Sequence, residues 1–313
     1  MSSLSATVNG SLRKAILVSA QNATVRRFVG AHGMRLGASR FVAGETLDEC
    51  VGVLRGLNER GLATNATLLG EDVQTEEEAS GVGDAYVEIL DRIDTEGLRT
   101  NVALKLTHLG LDLGEDVAFA TVTRVVERAA ELGNFVRLDM EYSAVVDATL
   151  SIYRRLRGAG HANVGTVLQS YLYRTPADLE SLLPLRPNLR LVKGAYLESE
   201  TVAYARKQDV DAAYIRLVED MLRGGVYTAV ATHDERMVEH VIGFTEREGI
   251  GRDRFEFQML YGIRTQLQLD LAARGYKVLV ATAYGPEWFP FFSRRLAERP
   301  ANLLFLAKNV VRR

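Results

Sequence analysis

Eight short runs of apolar and β-branched residues, separated by stretches of helical periodicity, constrain this chain more than any other feature. They fall at Leu62–Leu69, Val102–Leu106, Phe135–Met140, Val164–Leu168, Leu189–Val192, Tyr227–Ala231, Phe255–Leu260 and Val278–Ala281. Runs this short and this apolar read as strands buried on both faces. Between them the apolar residues recur every three or four positions. Phe119, Val122, Val125, Val126, Ala129 and Leu132 share one helical face, and Arg128 and Glu131 point elsewhere. Gly133, Gly160 and Gly224 stand where helix C-caps are expected. Strands alternating with helices make parallel βαβ units, and eight of them in 313 residues fit a closed barrel better than an open sheet.

The expected fold is therefore α/β, a TIM-like (β/α)8 barrel. Two helical segments, Leu12–Val29 and Thr46–Arg60, precede the first strand. Residues 10–60 read as helices packed on a barrel of residues 61–313, within one catalytic domain spanning 1–313. An open dinucleotide-binding sheet needs a glycine-rich turn, and the only candidate is Gly81-Val82-Gly83. Tyr86 stands there in place of the third glycine, inside an acidic helical stretch.

Composition removes several classes of function. The net charge of −2, with no basic block, gives no footprint for nucleic acid. Cys50 is the single cysteine, so no intramolecular disulfide forms; it reads as a small apolar side chain in a helix, in a reducing compartment. No apolar run approaches membrane-spanning length, and the polar start does not read as a signal peptide. A cytoplasmic protein is expected, with peripheral membrane contact left open. The five histidines His32, His108, His161, His233 and His240 form no HxH or HExxH pair, so no metal is expected. A serine nucleophile elbow is also missing.

Chemistry in such barrels sits at the C-terminal strand ends. Those ends carry Glu71, Lys105, Asp139, Gln169, Lys193, Thr232 with His233, Gln258 and Tyr284. A mouth lined by cations and amides suits an anionic or polar ligand. The adjacent Arg294 and Arg295 in the last helical segment suit bidentate recognition of a carboxylate or phosphate. In Leu191-Val192-Lys193-Gly194-Ala195-Tyr196, Gly194 allows close backbone approach to a ligand. Lys193 is open to three roles: Schiff-base amine, phosphate contact or rim charge.

The strings Leu68-Leu-Gly-Glu71, Leu104-Lys-Leu-Thr107, Arg137-Leu-Asp-Met-Glu141 and Val167-Leu-Gln-Ser-Tyr-Leu-Tyr173 add a further signal. So do Arg190-Leu-Val-Lys-Gly-Ala-Tyr196, Ala231-Thr-His-Asp234, Phe255-Glu-Phe-Gln-Met-Leu-Tyr-Gly262 and Arg294-Arg-Leu-Ala-Glu298. In order and placement, from Phe41 onward, they resemble the proline dehydrogenase family, in its bacterial single-function form. The resemblance implies a distorted (β/α)8 barrel whose last helix lies over the mouth, and FAD held without a Rossmann domain. It implies oxidation of L-proline to Δ1-pyrroline-5-carboxylate, electron transfer to a membrane quinone, and a Δ1-pyrroline-5-carboxylate dehydrogenase as partner. Gln169, Arg190, Lys193, Gly194, Ala195, Thr232, His233 and Glu298 match flavin-binding positions. Lys105, Arg294 and Arg295 match groups that hold the substrate carboxylate, and Tyr196 and Leu260 match the pocket lining. Asp139 and Arg190 match active-site groups beside the flavin, and Glu71 matches the gate partner of Arg295.

Three segments depart from that pattern. Ala281-Thr-Ala-Tyr-Gly285 replaces Tyr-x-Pro-Tyr-Gly, Phe291 replaces a tyrosine, and Ala205-Arg206 replaces Pro-Asp. The first two predict a wider, less polar pocket and a variant reading in which the substrate is a larger or substituted proline analogue. Two readings of other classes are a flavin-free Schiff-base lyase or aldolase using Lys193 or Lys105, and a non-catalytic carboxylate-binding module.

Overall fold

The computed structural model describes Met34 and residues 37–70 and 73–289. The expected helix Leu12–Val29, and with it Glu71, Phe291, Arg294, Arg295 and Glu298, lies outside the described residues. Eight parallel strands close into a barrel in sequence order. They are β1 (Ala63–Leu68), β2 (Thr100–Leu104), β3 (Val136–Leu138), β4 (Val164–Gln169), β5 (Asn188–Val192), β6 (Tyr227–Ala231), β7 (Phe255–Leu260) and β8 (Val278–Tyr284). Helix α1 (Leu47–Glu59) precedes them. Between successive strands lie α2 (Glu76–Thr95), α3 (Glu115–Glu131), α4 (Val146–Gly158), α5 (Thr175–Leu182), α6 (Lys207–Arg223), α7 (Glu235–Arg247) and α8 (Thr265–Ala273). Each expected strand is present, and Thr46–Arg60 forms α1. Gly81 and Gly83 lie inside α2, so that pair is helical and no phosphate turn.

The helices obey their sequence signals. In α3 the buried face is Ala118, Thr121, Val122, Val125, Val126 and Ala129. Phe119 borders that face, and the Arg155 guanidinium stacks 3.8 Å from its ring centroid. Thr75 caps α2, accepting the Glu78 N–H at 3.2 Å, and Asp234 caps α7 by accepting that of Arg236 at 3.1 Å. Gly133 and Gly160 end α3 and α4 with positive φ; after α6 the residue with positive φ is Gly225, one beyond the expected Gly224.

The backbone divides into two compact units. The larger, Leu54–Thr67 with Glu71–Ala281, contains most of the strands and all of α2–α8. The smaller draws on Met1–Val53, Leu68–Gly70 and Thr282–Arg313. Within it, the Leu69 N–H donates to the Tyr284 carbonyl at 2.7 Å, Ala43 N–H to Ala283 O at 2.8 Å, and Gly285 N–H to Gly44 O at 3.1 Å. Trp288 is buried there, its indole N–H donating to Glu45 at 2.7 Å. Cys50 is also buried, and burial pushes its thiol up to about 12. No described helix is long and apolar enough to cross a membrane, and no cluster of metal-ligating side chains occurs among the described residues.

Candidate active site

Successive side chains along a barrel strand alternate between inside and outside. Along β3 and the residue after it, this places Arg137 and Asp139 on the inner face; Asn188 and Arg190 of β5 and Glu256 and Gln258 of β7 share it. Bonds that skip a strand confirm the placement. Arg190 Nη1 donates to Asp139 Oδ1 at 2.6 Å across β4, and its Nε donates to Gln258 Oε1 at 2.5 Å across β6. Arg190 is buried, and Asp139, just beyond β3, is about a quarter exposed, with 27% of its side-chain surface open.

Deeper in the same barrel, Arg137 donates to the carbonyls of Thr166 and Asn188 at 3.0 and 2.8 Å and to Asn188 Oδ1 at 2.5 Å. Gly165 makes this possible: a Cβ there would lie 2.6 Å from the Arg137 guanidinium and 2.5 Å from the Asn188 carbonyl. Burial, and then the charge of Arg190, push the Arg137 guanidinium below its ordinary value. Such a charged interior departs from the branched apolar layers usual in these barrels. Buried charge persists only when partners satisfy it.

Among the described residues five buried side-chain atoms lack a hydrogen-bond partner, and one of them, Gln169 Oε1, stands at the C-terminal end of a strand. Gln169, at the end of β4, directs its amide N–H to the Glu141 carbonyl at 3.0 Å, and its Oε1 is buried with no hydrogen-bond partner. With the amide orientation fixed by backbone carbonyls, that oxygen is an acceptor open to an N–H donor. Nearby Glu141 is buried and accepts from the Thr107 N–H at 3.2 Å and hydroxyl at 2.7 Å. Burial pushes its carboxyl up, with the Thr107 bonds and the Lys105 charge opposing. Lys105 itself follows β2 directly and is half-buried.

The loop after β5 carries the rest of the expected set. Lys193 Nζ binds Asp211 Oδ1 of α6 at 2.7 Å, and Lys207 meets the same carboxylate. A Schiff-base lysine needs a desolvated amine; this half-buried ammonium is already engaged in an ion pair, which argues against the lyase reading at Lys193. Gly194 has φ +110°, and a Cβ there would lie 2.2 Å from the Tyr171 ring. Ala195 is exposed, and Tyr196 is half-buried with its ring edge-on to Tyr142 at 6.2 Å. Glu198 pins the loop by accepting the Ser143 N–H at 2.6 Å and hydroxyl at 2.5 Å.

Just beyond β6, Thr232 is buried and accepts the Asp234 N–H at 3.1 Å, and His233 Nε2 accepts the N–H of Leu260, the last residue of β7, at 2.9 Å. Of the residues singled out from sequence, Lys105, Asp139, Gln169, Lys193, Thr232 and His233 stand at or just beyond the C-terminal ends of their strands. The sequence reading omits Glu256, Tyr171, Asp211 and Glu198. Glu256 was legible, because Phe255-Glu-Phe-Gln258 puts polar groups at both inward positions of a buried strand. The other three act between loops and carry no local signal.

The proline dehydrogenase family model matches residues 50–308. The chain belongs to the proline dehydrogenase family. It is 44% identical to proline dehydrogenase of Deinococcus radiodurans, covering 96% of this chain and 98% of that protein. Against proline dehydrogenase 1 of Bacillus subtilis (strain 168) it is 41% identical, covering 96% and 100%. Among solved structures, proline utilization A from Bdellovibrio bacteriovorus, inactivated by N-propargylglycine, superposes with a TM-score of 0.78 at 25% identity. That match covers 85% of this chain and 32% of the larger protein. Membership of the proline dehydrogenase family implies a flavin cofactor, and the unmet amide oxygen of Gln169 at the end of β4 is an acceptor that a donor edge of such a ring fits.

Proposed function

We propose that this protein oxidises L-proline to Δ1-pyrroline-5-carboxylate on bound FAD and passes the electrons to a quinone, as the first step of proline catabolism. The observation that carries the reading is the pairing of an orphaned Gln169 oxygen with a buried, doubly bonded Arg190 at the rim of a proline dehydrogenase barrel. Gln169, Arg190, Lys193, Gly194, Ala195, Thr232, His233 and Glu298 are the proposed FAD contacts. When bound, the flavin supplies the hydride-accepting chemistry that no side chain of this chain has.

The residues have separate tasks in this scheme. Lys105, Arg294 and Arg295 hold the substrate carboxylate, and Tyr196 and Leu260 wall the ring. Fixing the donor carbon in this way replaces orientational entropy otherwise lost at the barrier. Arg190 places a fixed positive charge where negative charge develops, with Asp139 holding its guanidinium. Glu71 and Arg295 form a gate that closes over substrate and excludes water. Residues 1–313 act as one catalytic domain. A cytoplasmic enzyme in peripheral contact with the inner face of the membrane would have access to such a quinone, and a Δ1-pyrroline-5-carboxylate dehydrogenase would take the product.

Anaerobic titration tests the reading. The purified protein should be yellow, release FAD on denaturation, and bleach on adding L-proline. A colourless preparation, or a flavin bleached by no cyclic amino acid, sinks the proposal and favours the carboxylate-binding module.

A further inference from the structure

Beside Arg190 the barrel interior holds an ionic cluster that none of the steps above uses. Glu256 Oε1 accepts the Gln258 amide N–H at 2.5 Å. Its Oε2 accepts the Tyr227 hydroxyl at 3.0 Å and the Lys277 ammonium at 2.8 Å. Lys277 also donates to the Tyr227 hydroxyl at 2.8 Å. A carboxylate can only accept, so it compels the Gln258 amide to present its NH2 group downward and its oxygen upward. That oxygen is the acceptor for the Nε of Arg190, whose Nη1 reaches Asp139. A side-chain amide by itself has two orientations related by a flip. In the other one, NH2 would face the Arg190 N–H, donor against donor, in a buried space where neither finds water.

We propose that Glu256 is a positioning residue for this reaction: through the Gln258 amide it sets the orientation of the Arg190 guanidinium against Asp139. The chain of contacts runs from β7 to β5 to β3 without leaving the barrel interior. Groups facing the carboxylate are Tyr227 from β6, Lys277 at the start of β8, Gln258 on its own strand and Arg137 from β3. Burial pushes the Glu256 carboxyl up, but the charge and hydrogen bond of Lys277 and the Gln258 bond outweigh it, leaving the carboxyl below its ordinary value. Lys277 therefore keeps the acceptor in the form the orientation requires. The kinetic consequence rests on the reading of Arg190 given under Proposed function; the coupling itself does not.

Two measurements separate these. Arginine-selective ¹⁵N NMR of the purified protein, with the Arg190 Nε–H assigned by its loss in Arg190→Lys, reads the coupling directly. Glu256→Gln should speed exchange of that proton about tenfold or more, because a flipped amide no longer protects it. In stopped flow, the same variant should lower the rate of flavin reduction by proline about 10- to 100-fold, with apparent proline affinity within about twofold. In a Gln258→Leu background the Glu256→Gln effect should vanish, since the link is already cut. Lys277→Met should add an acid limb to the reduction-rate profile, with the rate falling as pH drops, and Glu256→Gln should lack that limb. Unchanged Nε exchange in folded Glu256→Gln, or an equal effect in the Gln258→Leu background, overturns the proposal. Should Glu256→Gln not fold, a Lys277→Met profile without the acid limb overturns it equally. If the parent protein carries no flavin, the function reading fails while the exchange experiment still decides the coupling.

Discussion

Gly194 meets two demands at once, a φ of +110° and a Tyr171 ring where a Cβ would stand. Gly194→Ala must distort the loop or expel the ring, which costs about 1–3 kcal/mol. The expected outcome is a lower melting temperature together with weaker FAD retention; an unchanged melting temperature refutes it. From sequence this glycine reads as room for a ligand, because a loop-to-loop contact with Tyr171 leaves no mark in the local pattern. Ala281 is the other informative position. It lies on β8, paired with Leu260 of β7, a proposed pocket-wall residue. Loss of a tyrosine ring there leaves volume that neighbours fill only partly, so Ala281→Tyr should favour proline over pipecolate by about tenfold in kcat/KM. Equal change for both substrates shows that this position does not set ring size.

The elements divide into those a sequence announces and those it does not. All eight strands and α1 follow from apolar runs and helical periodicity, because in this fold each element buries its own stripe against the next. The loops after β4 and β5 behave differently. They join through an isolated bridge between Leu172 and Ala203, a Tyr173–Tyr204 edge contact at 4.6 Å, and the Glu198 clamp on Ser143. None of these has a periodicity to read. Glu198→Ala releases two hydrogen bonds to a charged acceptor, worth about 1.5–3 kcal/mol each, and loosens the segment that carries Lys193 to Tyr196. Limited proteolysis should then cut near the exposed Leu197 at least about tenfold faster than in the parent, the change expected when a local opening is made cheaper by about 1.5 kcal/mol or more. Parent-like cleavage would falsify the clamp.

At the scale of the molecule, the charged barrel interior ties stability to pH. The folded pKa of Glu256 lies below its unfolded value, so its contribution is present above the unfolded pKa, about 4.3, and is lost as pH falls through the folded one. The urea midpoint should therefore drop on acidification below about pH 4.5, and less steeply in Glu256→Gln than in the parent. Identical slopes would remove Glu256 from the account. The closed barrel itself was legible, since eight βα repeats without a phosphate turn leave little else. Its division into two units was not, because that depends on which chain ends meet. Leu69 bonds to Tyr284, Ala43 to Ala283 and Gly44 to Gly285, so the smaller unit joins segments from opposite ends of the chain. During synthesis the ribosome releases β1 first and β8 last. For nearly all of translation the growing chain must carry open sheet edges, the surfaces most prone to wrong pairing. Closure waits on the final strand, so a chain cut short of β8 keeps two open edges where the whole one has none.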